Sequence, residues 1–231
     1  MNNLSVFENK IKVTFKNKDL LRQALVHRSY LNEHPDFSVG HNERLEFLGD
    51  AVLEIVITEH LYLNYPNTPE GDLTNWRASL VNAKMLYQIA SELGVENYLF
   101  LSRGESKDKN SKARQYILAN SIEAIIGAIY LDQGIESARQ FILENIAVKL
   151  EDILRSESYV DPKSKFQEIA QEKVGITPVY KTLSEEGPDH EKKFTVGLYL
   201  GEELISSGEG LSKQEAQIAA AQAGLINKNW N

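Results

Sequence analysis

Apolar residues recur at helical spacing through the first two thirds of the chain. Within residues 17–153 they return every three or four positions, as Leu45, Leu48, Val52 and Val56 do. This spacing places them on one face of a helix. The period-two alternation that is typical of strands is absent from this part. The pattern therefore predicts an all-α region.

The pattern changes after about residue 160. A polar segment interrupts the helical period, and Asp161 and Pro162 then have the residue types of a helix N-cap and first helical position. Three short apolar runs bounded by turn residues follow, at residues 179–183, 194–200 and 204–207. A last helix is predicted from Ser212 to about Ile226. The order α-β-β-β-α is typical of a small two-layer domain.

These two patterns predict a multidomain protein. We expect an all-α domain over residues 1–155, a linker over residues 156–160 and a small α-β-β-β-α (α+β) domain over residues 161–231.

Composition restricts the chemistry that the chain can perform. The chain has no cysteine, which excludes disulfides, thiol nucleophiles and thiolate zinc sites. Any metal ligands must therefore be oxygen atoms or imidazoles. The first residues are polar and lack the apolar run that is typical of a signal peptide, and no stretch approaches the length of a membrane span. We accordingly expect a soluble cytoplasmic protein without a membrane partner.

Three carboxylates share one face of a predicted helix. Glu43, Glu46 and Asp50 are spaced i, i+3 and i+7, which aligns them in a narrow stripe. Clustered carboxylates beside apolar residues repel one another unless a cation neutralises them. Oxygen-only ligation favours magnesium or manganese over zinc. The alternative is an ordinary solvated acidic face.

A second predicted helix, residues 117–128, is apolar on nearly all sides yet carries Asn120 and Glu123. Polar groups on a buried helix need partners. Two interpretations remain open: metal ligation, or a local hydrogen bond for Asn120 with an arginine partner for Glu123.

These residues lie in a longer motif. The run NERLEFLGDAVL at residues 42–53 resembles the signature of the ribonuclease III family, bacterial endonucleases that cleave double-stranded RNA. Other segments of the first domain match the same family, at residues 24–30, 69–74, 77–82 and 117–132. The second domain is similar to the family's double-stranded-RNA-binding domain at residues 161–164, 187–190, 194–196 and 208–213. The resemblance covers almost the whole chain.

The resemblance implies a homodimer that hydrolyses phosphodiester bonds in double-stranded RNA with Mg²⁺, or Mn²⁺ as a substitute, and without a small-molecule cofactor. Each protomer would cut one strand, giving staggered ends with short 3′ overhangs, 5′-phosphate and 3′-hydroxyl groups, in the processing of rRNA and mRNA precursors. The metal ligands implied by position are Glu46, Asp50, Asn120 and Glu123. Asp50 and Glu123 correspond to the family's catalytic pair. Glu43 and Glu70 match accessory acidic positions, with expected roles in RNA or subunit contacts.

One position departs from the family pattern. Asn120 stands where the family has an aspartate. An amide oxygen also ligates hard cations, but the site loses one negative charge and should bind metal more weakly. We therefore expect an active enzyme with altered metal preference. The alternative is a non-cleaving double-stranded-RNA-binding protein with a silenced site.

The acidic composition requires RNA binding to come from local patches. The chain has 25 Lys and Arg against 33 Asp and Glu, a formal net charge of -8, whereas affinity depends on the phosphates contacted. The basic run at residues 103–114 is one candidate patch. In the second domain the resemblance implies RNA contacts by Gln167, Glu168, His190, Ser212 and Lys213. Such domains read duplex shape and 2′-hydroxyl groups more than sequence.

Overall fold

The computed structural model describes residues 3–108, 111–156, 159, 161–188 and 192–230. The chain separates into two compact units, residues 1–159 and 160–231. Three residues of the predicted linker, at positions 157, 158 and 160, lie outside the described residues. The boundaries proposed for that linker therefore stay a prediction.

The first unit is helical, as the apolar periodicity predicts. Its helices are α1 (Leu4–Ile11), α2 (Lys18–Ala24), α3 (Arg28–Glu33), α4 (Glu43–Asn64), α5 (Glu70–Val81), α6 (Ala83–Glu92), α7 (Arg103–Lys107), α8 (Lys112–Gln133), α9 (Ile135–Asn145) and α10 (Leu150–Ser156). Short 3₁₀ turns occupy Val95–Tyr98 and Ala147–Lys149. In the part of the chain that the structure describes, no helix is both long and apolar enough to cross a membrane.

Local sequence sets the ends of the central helix α8, which has 22 residues. At its start the side chain of Ser111 accepts a hydrogen bond from the backbone N–H of Arg114 at 3.1 Å, which satisfies one of the free donors of the first turn. At its end Gly134 has φ +84°, a conformation that glycine adopts without a steric penalty.

Helices α4 and α8 cross in very close contact at two glycines. A Cβ atom on Gly49 would lie 1.7 Å from the carbonyl oxygen of Glu123, and one on Gly127 would lie 2.2 Å from that of Leu45. Only residues without a side chain allow this approach. The crossing brings the acidic face of α4 against the polar positions of α8.

The second unit has the predicted order of elements. These are α11 (Pro162–Val174), β1 (Val179–Glu186), β2 (Lys193–Leu200), β3 (Glu203–Gly210) and α12 (Lys213–Lys228). The strands form one antiparallel sheet in the order β1-β2-β3. A Cβ atom on Gly208 of β3 would lie 2.2 Å from the backbone nitrogen of Ala220, so the alanine face of α12 lies directly on the sheet. The α+β fold class is thus confirmed.

Candidate active site and RNA-binding surfaces

The α4–α8 crossing gathers the side chains that the sequence proposes as metal ligands. Glu46 and Asp50 come from α4, and Asn120 and Glu123 come from α8. The amide nitrogen Nδ2 of Asn120 donates a hydrogen bond to Oε1 of Glu46 at 2.8 Å. Glu46, Asn120 and Glu123 are partly buried, whereas Asp50 is exposed. We refer to these four residues as the carboxylate cluster.

The carboxylate cluster is electrostatically unfavourable in the absence of a cation. Burial, together with the charges of Asp50 and Glu46, raises the pKa of Glu123 to about 7. Burial also raises the pKa of Glu46, with Glu43 and Asp50 adding to this effect and the Asn120 hydrogen bond opposing it. A divalent cation would relieve this repulsion.

The donor set suits a hard divalent ion, because it consists of carboxylate and amide oxygens. Within the described residues, however, no three or more His, Asp or Glu side chains are arranged so that they could hold a metal ion. At the crossing, Asn120 donates a hydrogen bond to Glu46 and contributes an amide in place of a carboxylate. Of the interpretations left open by the sequence, the arginine partner for Glu123 is not seen among these residues.

The two accessory carboxylates have separate surroundings. Glu43 lies beside basic groups at the start of α4, with its Oε1 3.4 Å from Nη1 of Arg28 and its Oε2 3.7 Å from Nδ1 of His41. Glu70 accepts a hydrogen bond at 3.1 Å from the hydroxyl group of Thr74 on its own helix. Their roles in RNA or subunit contacts stay predictions.

The residues proposed for RNA contact in the second unit are on its surface where the structure describes them. Gln167 and Glu168 are exposed on α11. Ser212 is the N-cap of α12 and accepts a hydrogen bond from the backbone N–H of Glu215 at 3.1 Å. His190 lies outside the described residues.

Lys213 is already engaged within the second unit. Its Nζ lies 2.7 Å from Oε1 of Glu185 and 5.6 Å from the centre of the Phe194 ring. The hydrogen bond from Lys213 lowers the pKa of Glu185. A phosphate at this position would therefore compete with the Glu185 carboxylate for the lysine.

Among the described residues of the basic run at 103–114, one basic side chain is buried. Arg114 is only 3% exposed and pairs with Glu96 at 3.1 Å, so its assignment to a surface patch is wrong. Lys112 remains exposed and lies near Lys84 and Tyr116. The sequence analysis did not single out Lys84 or Tyr116. The spacing of Tyr116, four residues before Asn120 on the same helix, could have placed it on the same face. No sequence pattern links Lys84 to this face.

Comparison with known proteins agrees with this arrangement. A family model described as Ribonuclease-III-like matches residues 17–150, and one described as Double-stranded RNA binding motif matches residues 162–228. Ribonuclease 3 of Borreliella burgdorferi is 44% identical over 222 residues, covering 96% of this chain and 90% of that protein. Ribonuclease 3 of Carboxydothermus hydrogenoformans is 42% identical over 223 residues, covering 96% and 94%.

A solved structure supports the fold of the first unit. The nuclease domain of ribonuclease III from Campylobacter jejuni is 38% identical and superimposes with a TM-score of 0.56, covering 63% of this chain and 97% of that one. The relatives that align along nearly the whole chain, the two matching domain models and the crossing of α4 with α8 lead to the same conclusion. The chain belongs to the ribonuclease III family of endoribonucleases that act on double-stranded RNA.

Proposed function

We propose that the protein cleaves double-stranded RNA by Mg²⁺-dependent hydrolysis at the carboxylate cluster, with Mn²⁺ as a substitute. The observation that carries this proposal is the close crossing at Gly49 and Gly127, which places the acidic face of α4 beside Asn120 and Glu123 of α8. Partly buried carboxylates with raised pKa values favour a cation as their partner.

The residues of the cluster have distinct roles in this proposal. Glu46, Asp50 and Glu123 would bind the cation through carboxylate oxygens, and Asn120 through Oδ1 while its Nδ2 group orients Glu46. When bound, the metal supplies charge neutralisation at the scissile phosphate and an activated water. Burial and the neighbouring carboxylates raise the pKa of Glu123 to about 7, and a bound cation would favour the ionised form of this carboxyl group.

A second candidate function is supported by the hydrogen bond that Asn120 makes to Glu46. This bond engages the amide of Asn120, and the described residues hold no ready-made group of three metal-binding side chains. A non-cleaving double-stranded-RNA-binding protein with a silenced site is the corresponding alternative. We favour the enzyme, because Glu46, Asp50 and Glu123 are all present at the crossing.

We propose that the active form is a homodimer that cuts one strand in each protomer. Phe47 is 81% exposed on α4 and Leu131 is 54% exposed on α8, and both line a cleft of about 630 Å³. Exposed apolar patches of this kind mark interaction sites. The related Campylobacter jejuni nuclease domain has a flexible region involved in dimer formation.

The proposed products are staggered duplex ends with short 3′ overhangs, 5′-phosphate and 3′-hydroxyl groups. The proposed cellular role is the processing of rRNA and mRNA precursors in the bacterial cytoplasm. Support for this role comes from the bacterial ribonuclease 3 relatives, which align along nearly the whole chain.

The test is to incubate the protein with end-labelled duplex RNA, with and without Mg²⁺, and to map the product ends. We expect Mg²⁺-dependent staggered cuts. Glu123→Ala should abolish cleavage and leave duplex binding nearly unchanged, because the second unit supplies separate RNA contacts. Loss of both activities in a folded Glu123→Ala protein would refute this division of labour.

Binding without cleavage by the unaltered protein would support the silenced-site alternative. In that case Asn120→Asp restores the fourth carboxylate of the cluster. Recovery of cleavage in this variant would identify Asn120 as the cause, whereas continued inactivity would exclude the nuclease proposal.

A further inference from the structure

We propose that Lys84, Lys112 and Tyr116 form a surface that holds the phosphate backbone of duplex RNA next to the cleavage site. We call these three residues the strand surface. With Ala83 and Gln115 they line a cleft of about 180 Å³ between α6 and α8. The inference rests on the proposed function, since it assigns an RNA contact to the unit that contains the carboxylate cluster.

Two residues of the strand surface lie on the same face of α8 as two residues of the carboxylate cluster. Lys112, Tyr116, Asn120 and Glu123 follow one another on α8 at spacings of four, four and three residues. Residues at these spacings lie on one face of a helix. The helix rises by about 16 Å between Lys112 and Glu123. Each strand of an A-form RNA duplex carries one phosphate per nucleotide along the edge of its grooves, so a face of this length can contact more than one phosphate.

The two lysines of the strand surface are exposed and have no acidic partner among the described residues. Lys84 and Lys112 are exposed, and neither makes an ion pair within the part of the chain that the structure describes. Many other basic residues of this unit are paired, including Lys18 with Glu8, Arg77 with Glu54 and Lys149 with Glu92. Two lysines that line one cleft repel each other, and an anion between them removes this repulsion. Phosphate is the corresponding group on RNA.

Tyr116 adds a feature that suits RNA. Its side chain is 59% exposed and lies between Lys112 and the carboxylate cluster in the order of α8. The neighbouring Gln115 is also exposed. Hydroxyl and amide groups can hydrogen bond to the 2′-hydroxyl that distinguishes RNA from DNA. The strand surface therefore matches a ribose-phosphate backbone and carries no group that selects a base sequence.

The test compares a Lys84→Gln/Lys112→Gln double variant with Lys12→Gln in the full-length protein. Lys12 is a matched control, because it is exposed but already paired with Glu144 at 3.1 Å. We expect the double variant to lower kcat/KM for duplex RNA roughly tenfold. It should also reduce the slope of log Kd against log salt by about 2, because each lysine that binds a phosphate adds about 1 to this slope. Lys12→Gln should leave both quantities unchanged.

A Lys84→Arg/Lys112→Arg double variant keeps the charges and should retain both the wild-type kcat/KM and the salt slope. If the Lys84→Gln/Lys112→Gln variant has the same Tm, kcat/KM and salt slope as the unaltered protein, the proposed role of the strand surface is wrong. Cleavage by the unaltered protein tests the proposed function separately. If cleavage is absent, the salt slope of duplex binding still decides whether these lysines bind RNA.

Discussion

At the scale of single residues, Glu123 shows how a cluster of partly buried carboxylates opposes stability. Its carboxyl group is partly buried and faces two further carboxylates, which raises its pKa to about 7 from an ordinary value of 4.5. The folded state therefore holds this proton more tightly than the unfolded state does. The resulting contribution to folding is complete below pH 4.5 and is lost as the pH rises through about 7.

We predict that Glu123→Gln is more stable than the unaltered protein at pH 8 when metal is removed by a chelator. The gain in the free energy of unfolding should be on the order of 1–2 kcal/mol, after allowance for partial solvent exposure. Urea unfolding at pH 5 and pH 8 measures it. Glu136→Gln is the control, because Glu136 is 80% exposed. A Glu123→Gln protein with the same pH dependence as the unaltered protein would contradict the prediction.

Lys213, which the sequence proposes as an RNA contact, forms an ion pair within the second unit. Because the Glu185 carboxylate lies 2.7 Å from the ammonium group of Lys213, the charge of the lysine is partly neutralised within the second unit. The sequence shows the lysine at the start of the helix, but it does not show this partner.

We predict opposite effects for substitutions at the two members of this ion pair. Lys213→Ala should weaken binding to all duplex sequences alike and reduce the salt slope by about 1. Glu185→Gln should strengthen binding severalfold, because the lysine no longer has a competing carboxylate. Binding titrations with duplexes of different sequence measure both effects. A sequence-selective loss in Lys213→Ala, or weaker binding in Glu185→Gln, would argue against this role.

At the scale of helices and strands, the crossing of α4 and α8 determines the geometry of the carboxylate cluster. The backbones meet where Gly49 faces the carbonyl group of Glu123. Asn120 and Glu46 hydrogen bond close to this crossing. Any increase in the separation of the helices would therefore pull the carboxylate cluster apart.

We predict that Gly49→Ala destabilises the fold by about 2–3 kcal/mol or more and removes cleavage, because its Cβ would lie 1.7 Å from a carbonyl oxygen. Gly71→Ala is the matched control on α5, where an added Cβ would meet nothing within 4 Å. It should be neutral or stabilising by up to about 1 kcal/mol. Thermal unfolding and a cleavage assay test both variants. Similar behaviour of the two would show that the close crossing is not required.

At the scale of the whole molecule, an acidic chain must bind a polyanion. The net charge is -8, so binding depends on where unpaired cations are exposed and not on their total number. Dimer formation would also affect this distribution, because it doubles the number of sites available to one duplex.

We predict that Phe47→Ala shifts the protein from dimer to monomer by weakening self-association about tenfold or more, since aromatic anchors contribute much of the energy of an interface. Sedimentation across a range of protein concentrations measures the change. Val6→Ala is the control, with a residue that is 55% exposed on α1. A monomeric unaltered protein, or a Phe47→Ala variant that dimerises equally well, would exclude this interface.

The sequence by itself determined that a helical region is followed by a helix, three strands and a last helix. Periodicity, turn residues and cap residues were sufficient for this order, because they report which face of an element is buried and where it ends. Helix α1 (Leu4–Ile11) precedes residue 17, where the recognised periodicity begins, and was not predicted. Periodicity also placed Glu46 and Asp50 on one helical face and marked Asn120 and Glu123 as polar positions on an otherwise apolar helix. Strand lengths were underestimated because β1 and β3 continue into polar residues, where backbone pairing extends beyond the buried core.

Only the tertiary structure decided which of these faces meet. It paired Asn120 with Glu46, turned Arg114 inward to Glu96 and brought Lys84 beside Lys112. These partners are separated by 18 to 74 positions along the chain, beyond the reach of helical periodicity. Their proximity depends on how closely helices pack, and in this protein two glycines at a crossing set that distance for the carboxylate cluster.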